Sequence, residues 1–191
     1  MQRIGIYGGS FDPVHLGHLL VAQAAREELG LDRLCFVPAA QSPFKQTAAP
    51  LAGRIRAQLL RLALADKPWC EVDTQELDRQ GVSYTVDTAR AYRERFPKAE
   101  LFYLVGADNV AALSQWREAD ALAKLVKFAA IPRPGEPEAA FASPFNGTTL
   151  QGWPLGVSSS DIRARIKAGK PIDPLVPALV AEVIRNNGLY L

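Results

Sequence analysis

Short apolar runs alternate with amphipathic stretches along this chain. Runs of four or five mostly apolar residues are typical of buried strands, whereas apolar positions at three- and four-residue spacing are typical of helices. Ile55, Leu59 and Leu62, for example, share one face of the helix predicted over residues 51–65. The predicted strands are residues 3–7, 33–37, 70–73, 101–105 and 127–131, and the other predicted helices begin at Leu16 or span 85–95, 118–125, 159–168 and 174–187.

This alternation predicts an α/β fold. Successive strand–helix–strand units are right-handed and build a doubly wound parallel sheet. Such sheets bind ligands beyond the carboxyl ends of their strands, near the point where the strand order reverses. Residues 132–154, rich in Pro, Gly, Ser, Thr and Asn, are expected to form a loop with at most one short strand, around 148–151. We expect residues 1–191 to form one domain that ends in two helices.

The net charge, the apolar content and the cysteines limit the kinds of partner and the cellular location that we expect. The 191 residues are 48% hydrophobic, enough for a sizeable core, and 22 Lys and Arg against 20 Asp and Glu leave a formal net charge of +2. This near-neutral charge disfavours a large nucleic-acid surface. With no apolar run of 18 residues and a strand pattern at the N-terminus, we expect neither a membrane segment nor secretion. Cys35 and Cys70 lack metal-type spacing, and the apolar run 34–37 favours a buried free thiol at Cys35; a reducing cytoplasm is the expected compartment.

Both histidines of the chain lie in one short run after the first predicted strand. Residues 8–18 read GGSFDPVHLGH, with His15 and His18 at the start of the first predicted helix. The glycines and the Asp-Pro pair favour a turn, in which Asp12 is expected to order the chain. A turn into a helix N-terminus presents free N–H groups and the positive end of the helix dipole. We therefore interpret the two histidines as part of a phosphate site rather than as surface residues that cap a helix.

A second run with phosphate-binding character begins the next-to-last predicted helix. Ser158 with Asp161 forms a capping-box pattern, and capping alone would account for it. Three consecutive hydroxyls and Arg163 also suit a phosphate, and we favour that interpretation. Two common nucleotide motifs are absent from the sequence, the P-loop and the GxGxxG turn after the first strand.

The run GGSFDPVHLGH resembles the signature of the HxGH nucleotidyltransferases, which transfer the adenylyl group of ATP to a phosphate monoester. The segments VSYTVDT (82–88) and RPG (133–135), together with Trp116, make the chain similar to the bacterial nicotinate-nucleotide adenylyltransferases over nearly its whole length. The resemblance implies a Rossmann-like nucleotidyltransferase fold. It also implies that ATP and nicotinate mononucleotide give deamido-NAD and pyrophosphate, in NAD biosynthesis, with Mg²⁺ held mainly by the ATP phosphates.

The resemblance also assigns roles to individual residues. The expected catalytic residues are His15, His18 and Arg163. The residues expected to bind nicotinate mononucleotide, through backbone N–H groups and a stacked indole, are Ser83, Tyr84, Thr85 and Trp116. The residues expected to bind ATP and its phosphates are Gly8, Gly9, Ser10, Phe11, Lys45, Gly106, Asp108, Arg133, Ser158, Ser159 and Ser160. No protein ligand for a metal is predicted.

Two positions depart from the family pattern. Phe44 stands where the family often has a histidine, so only Lys45 of that loop is carried over. Ser160 replaces a threonine and keeps the hydroxyl. Simpler interpretations stay open at other positions, because Trp116 suits core packing and Arg133 suits an ordinary loop.

Several alternatives stay open at the level of function. A sister adenylyltransferase acting on nicotinamide mononucleotide or phosphopantetheine would share the histidine run and the Ser-Arg turn. A class I aminoacyl-tRNA synthetase fragment would carry a lysine-rich KMSKS-type loop, and residues 158–163 contain no lysine. A non-catalytic nucleotide-binding module on the same fold would bind ATP without releasing pyrophosphate. The oligomeric state is not predicted, and a homo-oligomer is compatible with the sequence.

Overall fold

The computed structural model describes residues 1–41, 50–132 and 139–191. Within these ranges six strands form one parallel sheet in the order β3-β2-β1-β4-β5-β6. They are β1 (Arg3–Gly9), β2 (Arg33–Pro38), β3 (Cys70–Val72), β4 (Glu100–Gly106), β5 (Lys127–Ile131) and β6 (Gly147–Thr149). The order reverses between β1 and β4, so the switch point, where such sheets bind ligands, lies between the carboxyl ends of these two strands.

Helices cover both faces of the sheet. They are α1 (Leu16–Leu29), α2 (Gly53–Ala63), α3 (Gln75–Arg79), α4 (Thr85–Arg95), α5 (Ala107–Val110), α6 (Ala119–Leu125), α7 (Ser159–Lys167) and α8 (Ala178–Asn186), with a 3₁₀ turn at Leu113–Gln115. One buried cluster joins α1, α2, α7 and α8 to one face, and a second joins α4 and α6 to the other. Residues of β1 alternate between them, with Ile4 and Ile6 in the second cluster and Tyr7 in the first.

The predicted doubly wound α/β fold is confirmed, and the differences lie at the level of short elements. The structure adds α3, α5 and the 3₁₀ turn, which are too short for a helical period to register. The strand expected around 148–151 spans Gly147–Thr149. The last helix begins at Ala178 rather than at 174, because Pro177 disfavours helical geometry at the residue before it.

The buried face of α2 differs from the predicted one. Leu59 is buried, but Ile55 and Leu62 are only half-buried. The fully buried positions follow a neighbouring stripe: Arg56, Ala57, Leu59, Leu60 and Ala63. An arginine therefore occupies a core position of this helix. Among the helices that the structure describes, none has the length and hydropathy of a membrane span.

Candidate active site

A cleft of about 1440 Å³ opens at the carboxyl ends of β1 and β4. The N-termini of α1 and α7 both reach it, so segments far apart in the sequence share its wall. Its lining includes Gly9, Ser10, Phe11, Asp12, His15, His18, Gly106, Asn109, Ser158, Ser159, Ser160 and Arg163. The histidine run and the Ser-Arg run, about 140 positions apart in the sequence, thus line one surface at the switch point.

The two imidazoles are in contact at the start of α1. Their ring centroids lie 3.7 Å apart, with 34° between the ring planes. The backbone N–H of His15 donates to Nδ1 of His18 at 3.1 Å. Because Nδ1 accepts this hydrogen bond, the neutral His18 ring carries its proton on Nε2. The neutral His18 ring therefore has its N–H donor on Nε2.

His15 is the more buried of the pair, with only 6% of its surface exposed. Burial lowers the pKa of His15 from 6.5 to about 4, and the carboxylate of Asp161 opposes the shift without overcoming it. His15 is therefore neutral near pH 7. Within the described residues its Nδ1 makes no hydrogen bond. A buried nitrogen of this kind, in the wall of the cleft, is suited to a polar atom of a ligand.

Arg163 lies beside the chain segment that leads into His15. Its Nη1 donates to the backbone carbonyl of Asp12 at 2.7 Å, and its Nη2 donates to Ser160 Oγ at 3.1 Å. The Ser159 hydroxyl donates to the carbonyl of Pro13 at 2.9 Å. These bonds fasten the first turn of α7 to the histidine loop across about 150 residues of sequence.

The N-terminus of α7 has the predicted capping box. Ser158 is the N-cap residue, and its Oγ accepts from the backbone N–H of Asp161 at 3.1 Å. Asp161 Oδ2 in turn accepts from the backbone N–H of Ser158 at 3.2 Å. The cap does not exclude a phosphate, because the other first-turn N–H groups keep the positive end of the helix dipole at the cleft.

The loop between β1 and α1 is held in an unusual backbone shape. Phe11 has a φ of +47°, in the left-handed region that costs energy for a residue with a side chain. Its buried ring packs edge-on against His18, with centroids 5.0 Å apart.

At Gly8 a Cβ atom would collide with the hydroxyl of Tyr103. A larger residue at this position would therefore displace the Tyr103 side chain, where β1 passes β4.

Arg56 also shapes the cleft wall, although it is not among the residues predicted from the sequence. The residue is 1% exposed, and its guanidinium donates to three backbone carbonyls, those of Ser10 at 2.6 Å, Ala39 at 2.7 Å and Leu51 at 2.7 Å. Burial lowers the pKa of Arg56, whereas the charge of Asp12 raises it. One side chain thus joins the loop after β1, the loop after β2 and the start of α2. Its only sequence signal is its helical spacing from the buried Leu59, Leu60 and Ala63.

The remaining expected nucleotide ligands fall into three groups. Gly106 ends β4 and lines the cleft. Asp108 is exposed, and its carboxylate accepts a hydrogen bond from Asn109 Nδ2 at 3.0 Å. Asn109 lines the cleft, whereas Asp108 does not. Lys45 and Arg133 lie outside the described residues.

The four residues expected to bind nicotinate mononucleotide lie at the same sheet edge but on its α4 side. Tyr103 of β4 contacts two of them: the Thr85 hydroxyl donates to its hydroxyl at 3.3 Å, and its ring lies edge-on to Trp116, with centroids 6.3 Å apart. Ser83 Oγ accepts from the backbone N–H of Ala40 at 3.0 Å. The guanidinium of Arg117 lies 4.5 Å from the centre of the Tyr84 ring. Trp116 lines a separate cavity of about 470 Å³.

A protein cage for a metal ion is not found in the described part of the chain, where no group of three or more His, Cys, Asp or Glu side chains is arranged to hold one. The carboxylate of Asp12 lies 3.9 Å from Arg163, and its Oδ1 already accepts hydrogen bonds from Leu51 N–H and the Tyr190 hydroxyl. The residues of the cleft therefore fit an anionic ligand better than a bare cation.

Comparisons with known proteins agree with this architecture. The Cytidylyltransferase-like family model matches residues 6–165. A probable nicotinate-nucleotide adenylyltransferase of Thermus thermophilus is 44% identical over 99% of this chain and its own full length. The nicotinate-nucleotide adenylyltransferase of Bacillus subtilis is 37% identical over all of this chain and 99% of its own.

A solved structure shares the fold at low sequence identity. The nicotinic acid mononucleotide adenylyltransferase of Plasmodium falciparum, complexed with NaAD, superposes with a TM-score of 0.76 at 18% identity. The alignment covers all of this chain and 98% of that one. From its sequence relatives and its fold together, the chain belongs to the nicotinate-nucleotide adenylyltransferase family of cytidylyltransferase-like proteins.

Proposed function

We propose that this protein transfers the adenylyl group of ATP to nicotinate mononucleotide and releases pyrophosphate, forming deamido-NAD. The observation that carries the proposal is the convergence of two imidazoles, one guanidinium and two helix N-termini on a single cleft. The names of the family relatives support nicotinate mononucleotide as the acceptor.

This reaction needs cations more than it needs a base. A phosphate monoester is already ionised near pH 7, so its oxygen attacks the α-phosphorus of ATP without losing a proton to the protein. The new bond joins that oxygen to the α-phosphorus, and the bond from the α-phosphorus to the bridging oxygen of pyrophosphate breaks. The barrier arises from repulsion between two anions and from charge on the five-coordinate phosphorus. Positioning and electrostatic stabilisation therefore supply the catalysis.

The proposed roles follow from the geometry of each group. His18 donates from Nε2 to a phosphate oxygen, because its Nδ1 is held by the N–H of His15. Arg163 supplies a permanent positive charge and, as a planar donor, suits two phosphate oxygens at once. The first-turn N–H groups of α1 and α7 hold the remaining oxygens of the triphosphate. Ser158, Ser159 and Ser160 bring hydroxyls to the same turn.

We infer that Mg²⁺ accompanies ATP and is held by phosphate oxygens and water. The described residues do not form a cage for it, and the Asp12 carboxylate is already engaged. Mg²⁺ usually keeps several waters and binds substrate phosphates, which agrees with this arrangement. When bound, the ion would neutralise part of the charge of the triphosphate.

The pyridine ring is proposed to bind at the start of α4. Tyr84 is the N-cap residue, and its side chain makes no hydrogen bond to the first turn that the structure describes. The N–H groups of Thr85 and Val86 are therefore suited to the ring carboxylate, which the helix dipole also favours. Trp116, whose ring lies edge-on to that of Tyr103, supplies an aromatic face for the electron-poor ring.

Pyrophosphate release from ATP tests the proposal. The protein is incubated with ATP, Mg²⁺ and, in separate reactions, nicotinate mononucleotide, nicotinamide mononucleotide and phosphopantetheine. We expect the highest kcat/KM with nicotinate mononucleotide and the appearance of deamido-NAD. A better rate with either other acceptor would identify a sister enzyme. ATP binding with no pyrophosphate from any acceptor would identify a non-catalytic nucleotide-binding module.

A further inference from the structure

Tyr190, which follows α8, reaches the loop that carries the histidines. Its hydroxyl donates to Asp12 Oδ1 at 2.8 Å, across 178 positions of sequence. The ring packs, half-buried, against the core cluster on the α1 side of the sheet, and the residue lines the cleft. Its φ is +70°, in the left-handed region. Because this conformation is unfavourable for tyrosine, tertiary contacts must hold it there.

Asp12 is the junction between Tyr190 and Arg163. Its backbone carbonyl accepts from Arg163 Nη1 at 2.7 Å, whereas its carboxylate Oδ2 is 3.9 Å from the same nitrogen. Its Oδ1 is occupied by Tyr190 and by the backbone N–H of Leu51, at 3.3 Å. The carboxylate is therefore turned toward Tyr190 and Leu51, and Arg163 is anchored by a neutral carbonyl.

We propose that Tyr190 is a positioning residue for adenylyl transfer, which keeps the distant ion pair of Asp12 and Arg163, at 3.9 Å, from closing into a hydrogen-bonded pair. This inference rests on the proposed function. A guanidinium and a carboxylate pair most strongly through two parallel hydrogen bonds. A small rotation of the Asp12 side chain would form such a pair, because Oδ2 is already 3.9 Å away. The pair would neutralise Arg163 and turn its donors away from the triphosphate.

The state of the phenol agrees with this role. Burial, and next the negative charge of Asp12, raise the pKa of Tyr190 well above its ordinary value. The hydroxyl therefore keeps its proton throughout the pH range of an enzyme assay and donates to Asp12. A phenylalanine at this position would fill the same space without a donor.

Tyr190→Phe tests the inference, with Tyr92→Phe as a matched control. Tyr92 makes the same type of bond, from its hydroxyl to Asp73 Oδ2 at 2.7 Å, but it lies in the core cluster on the opposite face of the sheet. We expect Tyr190→Phe to lower kcat/KM for ATP about 10- to 100-fold, since small misplacements of catalytic groups cost that much. The KM for nicotinate mononucleotide should stay within about twofold, because its proposed site is on the α4 side. Tyr92→Phe should leave both values unchanged even where it lowers Tm.

A second variant tests the mechanism. In Tyr190→Phe/Asp12→Asn the competing carboxylate is gone, so we expect part of the lost activity to return relative to Tyr190→Phe alone. Equal or lower activity of the double variant overturns the inference, as does Tyr190→Phe with wild-type kinetics.

If the wild-type protein releases no pyrophosphate, the proposed function fails, and calorimetry with ATP then decides the inference. Weaker ATP binding by Tyr190→Phe than by Tyr92→Phe supports it, and equal binding refutes it.

Discussion

Arg56 joins three segments of the cleft wall through backbone carbonyls, and its replacement should loosen all three. In Arg56→Leu the carbonyls of Ser10, Ala39 and Leu51 each lose a charged donor at 2.6–2.7 Å. A hydrogen bond from a charged group contributes about 1.5–3 kcal/mol, and leucine recovers part of the loss by apolar packing. We therefore expect the free energy of unfolding to fall by about 3–5 kcal/mol, as when a buried charge network is broken.

The same substitution should affect function through Ser10. Its carbonyl belongs to the loop that presents Gly9, Phe11 and the start of α1 to the cleft. Without this hydrogen bond the loop is less precisely positioned, so kcat/KM for ATP should fall about 10-fold or more. The variant is assayed below its Tm, where it is still folded. Arg56→Lys should lie between leucine and wild type, because a compact ammonium does not reproduce the planar fork of donors that serves three carbonyls.

Urea unfolding followed by circular dichroism measures the change in stability, and Arg54→Leu is the control. Arg54 is on the same helix but exposed, so its substitution should change stability by less than about 0.5 kcal/mol. A drop of 3–5 kcal/mol corresponds to roughly 10 °C in Tm for a chain of this size. If Arg56→Leu stays within about 1 kcal/mol of wild type, the three carbonyl bonds do not hold the cleft wall as argued.

Three further predictions concern the proposed site. His18→Ala removes the Nε2–H donor and should lower kcat by about 100-fold or more with an unchanged circular dichroism spectrum; near-normal turnover would contradict its catalytic role. Burial lowers the pKa of His15 from 6.5 to about 4, so between these two pH values the imidazole is protonated in the unfolded chain but neutral in the folded protein. The free energy of unfolding should therefore fall by about 3 kcal/mol as the pH drops across this range. In His15→Asn, the free energy measured by urea unfolding should depend less on pH in the same range. A variant profile parallel to wild type would show that His15 is not the group responsible. Trp116→Ala should raise KM for nicotinate mononucleotide about 3- to 10-fold and leave KM for ATP unchanged; equal changes in both would place the indole elsewhere.

The class of fold and the position of the glycine- and histidine-containing turn before α1 could be predicted from the sequence alone. Parallel strands are buried on both faces, so they appear as short apolar runs that need no tertiary information to recognise. The turn of residues 8–18 is equally local, because glycine, proline and closely spaced histidines act within one segment. The capping box of Ser158 and Asp161 is a three-residue relation, and it too is present in the structure.

How these local segments contact one another could not be predicted from the sequence, because it depends on long-range packing. The bonds of Arg56, Arg163 and Tyr190 to the loop after β1 join residues 46 to 178 positions apart. Several of their acceptors are backbone carbonyls, which every residue possesses and which therefore leave no trace in the sequence. Short helices such as α3 and α5 were missed because fewer than two turns contain no full hydrophobic period. The direction of a buried arginine or a half-buried tyrosine is set by which donors and acceptors the fold brings within reach, and that depends on the packing of the whole chain.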